Sequence, residues 1–75
     1  MYKLKSEFVD FFKEIRTSVY VNYMDCEISY ISSIINGNKN CSTVFAKSII
    51  GIRFGISIKD EQMNEMLEKY FIKEK

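Results

Sequence analysis

The sequence predicts an all-α fold of five helices in one domain, residues 1–75. The chain has no proline and only three glycines, so the residues that interrupt helices are scarce. Apolar side chains recur three and four positions apart, the spacing that places them on one face of an α-helix. No Asn-Gly pair joins two alternating apolar segments, as a β-hairpin would require. These observations favour helices over strands.

The first two predicted helices span about residues 6–16 and 18–24. Ser6 is the predicted cap of the first helix. Its core side chains follow the i, i+3, i+4, i+7 spacing: Phe8, Phe11, Phe12 and Ile15. The second helix has too many apolar residues for one stripe, so we expect it either to be buried on more than one side or to carry a contact surface. Thr17 or Ser18 is predicted to cap it.

The third and fourth helices are predicted at about residues 27–36 and 42–54. Asp25 or Glu27 is expected to cap the third helix, whose apolar side chains are isoleucines: Ile28, Ile31, Ile34 and Ile35. Gly37 is predicted to end it in a left-handed conformation that a Cβ atom disfavours. Ser42 is the predicted cap of the fourth helix, and Gly55 its end.

The fifth helix is predicted at about residues 60–73, after an extended segment or turn at residues 56–58. It carries a wide apolar stripe: Met63, Met66, Leu67, Tyr70 and Phe71. We expect this stripe to close the core and to leave part of its surface as a dimer interface. A chain this short is only marginally stable alone, so association would help it.

The charge is nearly balanced, with a formal net charge of +1. Strong non-specific binding to nucleic acid depends on neutralising phosphates, and this balance argues against it. The distribution is uneven, because residues 28–58 contain three basic side chains and no acidic one. Of these three, Lys47 and Arg53 are expected to be surface charges and Lys39 lies in a loop.

The composition argues against an enzyme. Histidine, the usual general base, is absent, and therefore no imidazole can activate Cys26 or Cys41. Two cysteines are too few for a zinc site, and we expect both to be buried or half-buried fillers. No glycine-rich phosphate loop occurs. The sequence therefore predicts no catalysis, no metal ion and no cofactor.

The location predicted from the sequence is the cytoplasm, with no membrane partner. No stretch approaches the ~20 apolar residues that cross a bilayer. The first ten residues alternate charged and apolar side chains, unlike a secretory signal peptide.

The segment 29–40, followed by Ser42 and residues 45–49, resembles the Cro/C1-type helix-turn-helix family of small phage-repressor-like proteins. The features in common are a serine-rich third helix, the Asn36-Gly37 stop, a basic loop and an amphipathic fourth helix. Residues 54–58 resemble the family's exit into a fifth helix. The resemblance implies a compact lambda-repressor-like domain, whose partner is double-stranded operator DNA.

The resemblance also implies which residues contact DNA. The third helix would enter the major groove, where its first residues meet base edges: Glu27, Ile28, Ser29, Ser32 and Ser33. Glu27 would accept a hydrogen bond from a cytosine amino group, and Ile28 would contact a thymine methyl. Phosphates would be contacted by Asn38, Lys39 and Asn40 and by Thr17 or Ser18. Alternatively, Ser32 and Ser33 are solvated or bond back to a helix carbonyl.

Three functional hypotheses follow. The first is a sequence-specific transcriptional regulator, a small phage- or mobile-element-type repressor that binds a palindromic operator as a homodimer. The second is a protein-binding inhibitor or adaptor on the same scaffold, favoured by the near-neutral charge and by Ile28, Tyr30 or Tyr23 if exposed. The third is a helical assembly subunit that associates through its methionine-rich last helix.

Overall fold

The computed structural model describes residues 1–55 and 59–74, which form five α-helices and a small two-stranded sheet. Strand β1 (Tyr2–Leu4) and a 3-10 turn (Ser6–Phe8) precede the helices. The helices are α1 (Val9–Phe12), α2 (Thr17–Met24), α3 (Ile28–Ile35), α4 (Thr43–Phe54) and α5 (Asp60–Tyr70), and strand β2 (Phe71–Lys73) follows them. The segment predicted to be extended or a turn, residues 56–58, lies outside the described residues.

Helices α2, α3 and α4 confirm the predicted elements to within one residue at each end. Ser42 caps α4 as predicted, because its hydroxyl accepts a hydrogen bond from the Phe45 N–H at 3.2 Å. Gly55 ends α4 in the left-handed conformation, with φ +68°. Glu27 occupies the predicted cap position of α3 but makes no capping side-chain bond. The caps predicted at Ser6 and at Thr17 or Ser18 are wrong, because the 3-10 turn and α2 follow Lys5 and Arg16.

The predicted first helix, residues 6–16, is wrong in length. It consists of the 3-10 turn and the single helical turn α1, because Arg16 has extended backbone (φ −61°, ψ 142°) as the residue before α2. The Phe11 carbonyl, which a longer helix would use internally, accepts a hydrogen bond from Arg53 Nε at 2.8 Å. The prediction of Arg53 as a surface charge is therefore wrong too, since its side chain is half-buried and fixes the end of α1.

The all-α class is roughly consistent with the structure, which adds a small sheet, and the predicted end of the fifth helix requires correction. Helix α5 stops at Tyr70, and the next three residues form β2, which pairs antiparallel with β1. On its other edge β1 bridges to the segment before α4, with both Tyr2–Cys41 backbone hydrogen bonds at 2.8 Å. The fold is therefore mostly helical, and its small sheet joins the two ends of the described chain.

A single apolar core contains side chains from both strands and from all five helices. Helix α2 packs against α3 and α4, and α5 packs against α4. Cys41 is buried and Cys26 is half-buried, and both are free thiols, which confirms their prediction as fillers. The radius of gyration is 11.1 Å, close to the ~11 Å expected for a folded chain of this length.

Candidate functional site

Helix α3 is buried on one side and exposed at its start. Ile31, Ile34 and Ile35 are at most 1% exposed and fix the helix in the core. Glu27, Ile28 and Ser29 are exposed, and Ile28 retains 58% of its accessible surface. We refer to Glu27, Ile28 and Ser29 as the α3 edge. Its backbone is held in place, because the following turns of the same helix are close-packed in the core.

The end of α3 is set by Gly37. The Gly37 N–H donates to the Ile34 carbonyl at 3.0 Å, and the Asn38 N–H donates to the Ser33 carbonyl at 2.9 Å. This is the Schellman pattern, with Gly37 at φ +76°. A Cβ atom at this position would lie 3.2 Å from the Leu4 carbonyl oxygen. Glycine is therefore required both by the backbone conformation and by the close approach of β1.

Two of the serines predicted to contact DNA make side-chain hydrogen bonds within α3 and to the residue that ends it. The Ser33 hydroxyl donates to the Ser29 carbonyl at 3.0 Å, one of the alternatives predicted for this residue. The Ser32 hydroxyl accepts a hydrogen bond from Asn36 Nδ2 at 3.2 Å, and the same Nδ2 lies 2.8 Å from the Ser32 carbonyl. Ser29 is exposed, and Ser32 and Ser33 are half-buried. Ser29 is thus the most accessible of the three.

The turn between α2 and α3 is short and fixed by Asp25. This residue has left-handed backbone (φ 52°), and its N–H donates to the Val21 carbonyl at 2.9 Å. Tyr23, just before the turn, is 77% exposed. At the start of α2, Thr17 is half-buried and Ser18 is exposed. The turn therefore presents two large side chains with apolar surface, Tyr23 and Ile28, to solvent.

Helix α2 is anchored by Tyr20, which is fully buried. Its hydroxyl donates to the Phe12 carbonyl at 2.8 Å, so that one hydrogen bond ties α2 to the end of α1. Burial raises the pKa of Tyr20 to about 12, and the nearby Arg53 charge opposes the shift. The hydroxyl consequently remains protonated at neutral pH and remains a donor.

The loop after α3 is held at both ends. Asn38 and Lys39 are exposed, and Asn40 is half-buried next to the Cys41 bridge to β1. The Lys39 ammonium lies 4.9 Å from the centre of the Tyr30 ring, a cation–π distance. Tyr30 in turn packs edge-on against Phe45, with ring centres 5.8 Å apart. The Lys39 side chain is thereby positioned beside α3 by the Tyr30 ring, which Phe45 supports.

The sequence did not single out two basic residues, Lys13 and Arg16. Lys13 Nζ donates to Asn36 Oδ1 at 2.8 Å, which places a positive charge at the end of α3. Arg16 is exposed immediately before α2. Lys13 contacts a residue 23 positions away, and no short-range pattern indicates such a contact.

The predicted dimer interface requires correction. Leu67, Tyr70 and Phe71 are 4%, 8% and 2% exposed, because they pack in the core of the same chain. Met63 and Met66 are half-buried against that core. Three of the five residues therefore have almost no surface to offer a second copy, and Phe71 belongs to β2 rather than to α5.

No helix within residues 1–55 and 59–74 has the length and apolar character needed to cross a bilayer. Nor do they contain three or more His, Cys, Asp or Glu side chains grouped as metal ligands would be. Comparison with protein-family models, with curated proteins and with solved structures found no match to this chain.

Proposed function

We propose that this protein is a sequence-specific DNA-binding regulator of transcription, of the kind found as small phage or mobile-element repressors. Helices α2 and α3 would form its helix-turn-helix unit, with α3 in the major groove. One observation carries the proposal: the α3 edge is exposed while Ile31, Ile34 and Ile35 of the same helix are buried in the core. A groove reader needs this combination of rigidity and exposure.

The size and chemistry of α3 fit the proposed role. The helix has eight residues, and a B-DNA major groove about 12 Å wide admits an α-helix. In helix-turn-helix proteins the first residues of the second helix meet base edges. Those positions here are the α3 edge, which combines a carboxylate, an aliphatic side chain and a hydroxyl.

Phosphate contacts in the proposed complex come from the flanks of α3. Lys39 and the amides Asn38 and Asn40 follow α3, and Thr17 and Ser18 begin α2. Lys13 and Arg16 add positive charge that the sequence motif did not include. No Lys or Arg occurs from residue 17 to residue 38, so we expect only a few phosphate contacts and a correspondingly small salt slope.

The proposed regulator acts as a homodimer, since two copies would match a palindromic operator. The buried side chains of α5 limit where the copies can meet. Of the stripe predicted for this purpose, only Met63 and Met66 keep partial exposure. The contact would therefore be smaller than the sequence predicted, and DNA would contribute to holding the two copies together.

Fluorescence anisotropy with labelled duplex DNA tests the proposal. Duplexes are taken from the DNA beside the gene and from rounds of selection, and titrated with the full chain at about 50 mM salt, where phosphate contacts are strong. We expect binding that weakens as salt rises. Lys39→Gln should weaken binding to all sequences alike and lower the salt slope by about 1.

Lys59→Gln is the matched control, because Lys59 is exposed at the start of α5 and carries the same charge. It should bind like the unchanged chain. Circular dichroism must show that each variant is folded. A folded chain that binds no duplex at low salt would refute the proposal. If Lys39→Gln and Lys59→Gln weaken binding equally, Lys39 is not one of the residues that contact phosphate.

A second candidate function, a protein-binding inhibitor or adaptor, is favoured by the surface of the α2–α3 turn. Tyr23 and Ile28 are 77% and 58% exposed, and the nearest charges along the chain are the acids Asp25 and Glu27. Such a surface also fits a host protein partner with a basic and apolar surface.

Affinity capture with the immobilised chain separates this candidate from DNA binding. A specific protein partner should be lost with Ile28→Asp and retained with Ile72→Ser, since Ile72 is an exposed side chain of β2. Loss with both variants would indicate non-specific apolar adsorption. If no protein is captured after nuclease treatment while DNA binding is specific, the protein-binding function is excluded.

A further inference from the structure

The side chains of α3 lack the donors that usually recognise purines. The helix sequence from Ile28 to Ile35 contains no Arg, Lys, Asn or Gln. Arg and Lys are the common partners of the guanine O6 and N7 atoms, and Asn and Gln are the common partners of adenine N6 and N7. Base discrimination by this helix must therefore use other chemistry.

The serine hydroxyls add little discrimination. The Ser33 proton is directed to the Ser29 carbonyl, and the Ser32 oxygen already accepts from Asn36. Ser29 keeps its whole hydroxyl capacity, Ser32 keeps its proton and one lone pair, and the half-buried Ser33 oxygen keeps its acceptor capacity. A hydroxyl both donates and accepts, and so it tolerates several bases. Selectivity is left to Glu27 and Ile28.

Glu27 offers only hydrogen-bond acceptors when ionised. It is exposed, and its carboxylate makes no capping bond to α3. A carboxylate pairs well with the cytosine N4 amino group, which has no acceptor beside it on the groove edge of the same base. On adenine the N6 amino group stands next to N7, whose lone pair repels the carboxylate. Cytosine is therefore the base that Glu27 favours.

Ile28 offers an apolar surface and no hydrogen bond. It is the most exposed aliphatic side chain of α3. In the major groove the thymine C5 methyl is the apolar group that distinguishes one base from another. Contact between the two removes apolar surface of both from water.

From these capacities we infer that the α3 edge selects its operator through pyrimidine groups, the cytosine amino group at Glu27 and the thymine methyl at Ile28. Guanine and adenine are contacted only by serine hydroxyls, which do not discriminate between bases. The inference rests on the proposed function, because it requires α3 to lie in the major groove. It specifies the class of half-site: one with a cytosine and a thymine at the positions facing the α3 edge.

Selection from a randomised duplex library with the full chain, followed by base replacement, tests this inference. Replacing the selected thymine by uracil removes only the methyl group, and we expect an affinity loss of about four-fold. Ile28→Ala should bind more weakly and lose nothing further on the same replacement. Glu27→Gln should shift the preferred base from cytosine towards adenine, which a glutamine side chain contacts through two hydrogen bonds.

Glu61→Gln is the matched control, since Glu61 is an exposed acid in the first turn of α5. It should keep the original base preference. If the folded chain selects no sequence at all, the proposed function fails. If it binds selected DNA but requires guanine, or does not respond to uracil, the inference on base choice is overturned while DNA binding stands.

Discussion

The three glycines provide a direct test of how the end of α3 is built. Each is changed to alanine, the same chemical step in three environments. Gly51 lies inside α4 and an added Cβ meets no described atom within 4 Å. Alanine is a better helix former than glycine, so Gly51→Ala should stabilise the fold by about 1 kcal/mol.

Gly55 and Gly37 should respond in the opposite direction. At Gly55, φ is +68° and the space around it is open in the described part of the chain, so Gly55→Ala meets only left-handed strain of about 1–2 kcal/mol. At Gly37, φ is +76° and the new Cβ would also lie 3.2 Å from the backbone oxygen of Leu4. Crowding adds about 1–3 kcal/mol, giving a total near ~3 kcal/mol.

Urea unfolding followed by circular dichroism gives the three free energies of unfolding. The expected order of stability is Gly51→Ala, then the unchanged chain, then Gly55→Ala, then Gly37→Ala. In a domain of this size 1 kcal/mol shifts Tm by about 4–8 °C, so the differences are measurable. If Gly37→Ala loses no more than Gly55→Ala, the close approach of β1 is not what requires glycine, and the account of the α3 terminus is wrong.

Two further changes test the contacts that fix α1 and α2. Arg53→Met should lower the free energy of unfolding by about 1–3 kcal/mol, because the Phe11 carbonyl loses a charged donor. Glu14→Gln should lower it by under ~0.5 kcal/mol, since this ion-pair partner of Arg53 is exposed. Equal losses for the two variants in urea unfolding would contradict this reasoning. The pKa of Tyr20 is about 12 in the folded chain and ~10 in the unfolded chain. The protonated Tyr20 hydroxyl therefore stabilises the fold in full below pH 10, and this contribution is lost as pH rises through 12. Tyr20→Phe should lower the free energy of unfolding by about 1–3 kcal/mol at neutral pH. It should also reduce the loss of stability above pH 10, which is up to ~1.4 kcal/mol per pH unit in the unchanged chain. If stability falls with pH as before in this variant, Tyr20 does not cause the loss.

The helices that the sequence predicted well have their signals close together in the chain. For α3 and α4 the apolar spacing, the Ser42 cap and the glycine stops lie within the element or next to it. Local hydrogen bonds then decide the bounds, and no distant contact is needed to predict them. The exposure of Ile28 follows from its place at the start of α3, where the stripe of isoleucines runs out beyond the core.

The errors occurred where distant parts of the chain decide the structure. Phe71 continues the apolar spacing of α5, but its backbone pairs with Leu4, a residue 67 positions earlier. The first helix was predicted too long because aromatic spacing does not reveal that Arg53 binds the Phe11 carbonyl from α4. Tyr70 and Phe71 are buried against Phe12, far away in the sequence, and so these two residues were wrongly predicted in the dimer interface.

The charge around the candidate site was likewise only partly visible in the sequence. Lys39 stands in the loop that the motif indicates, but its position over Tyr30 depends on the Phe45 ring from α4. Lys13 reaches the end of α3 only because α1 is short and the chain then turns. Neither position follows from spacing along one helix. The α3 edge could be predicted, and the charges that flank it required the fold.

Amide chemical-shift mapping tests the central claim, that the α3 edge is the DNA-binding surface, most directly. The full chain is labelled with nitrogen-15 and titrated with a duplex obtained by selection. The account predicts the largest shifts at Glu27 to Ser33, smaller ones at Asn38 to Asn40 and at Thr17 and Ser18, and little change on the exposed side of α5. Shifts centred on α5 or β2, or no shifts with a folded chain at low salt, would contradict it.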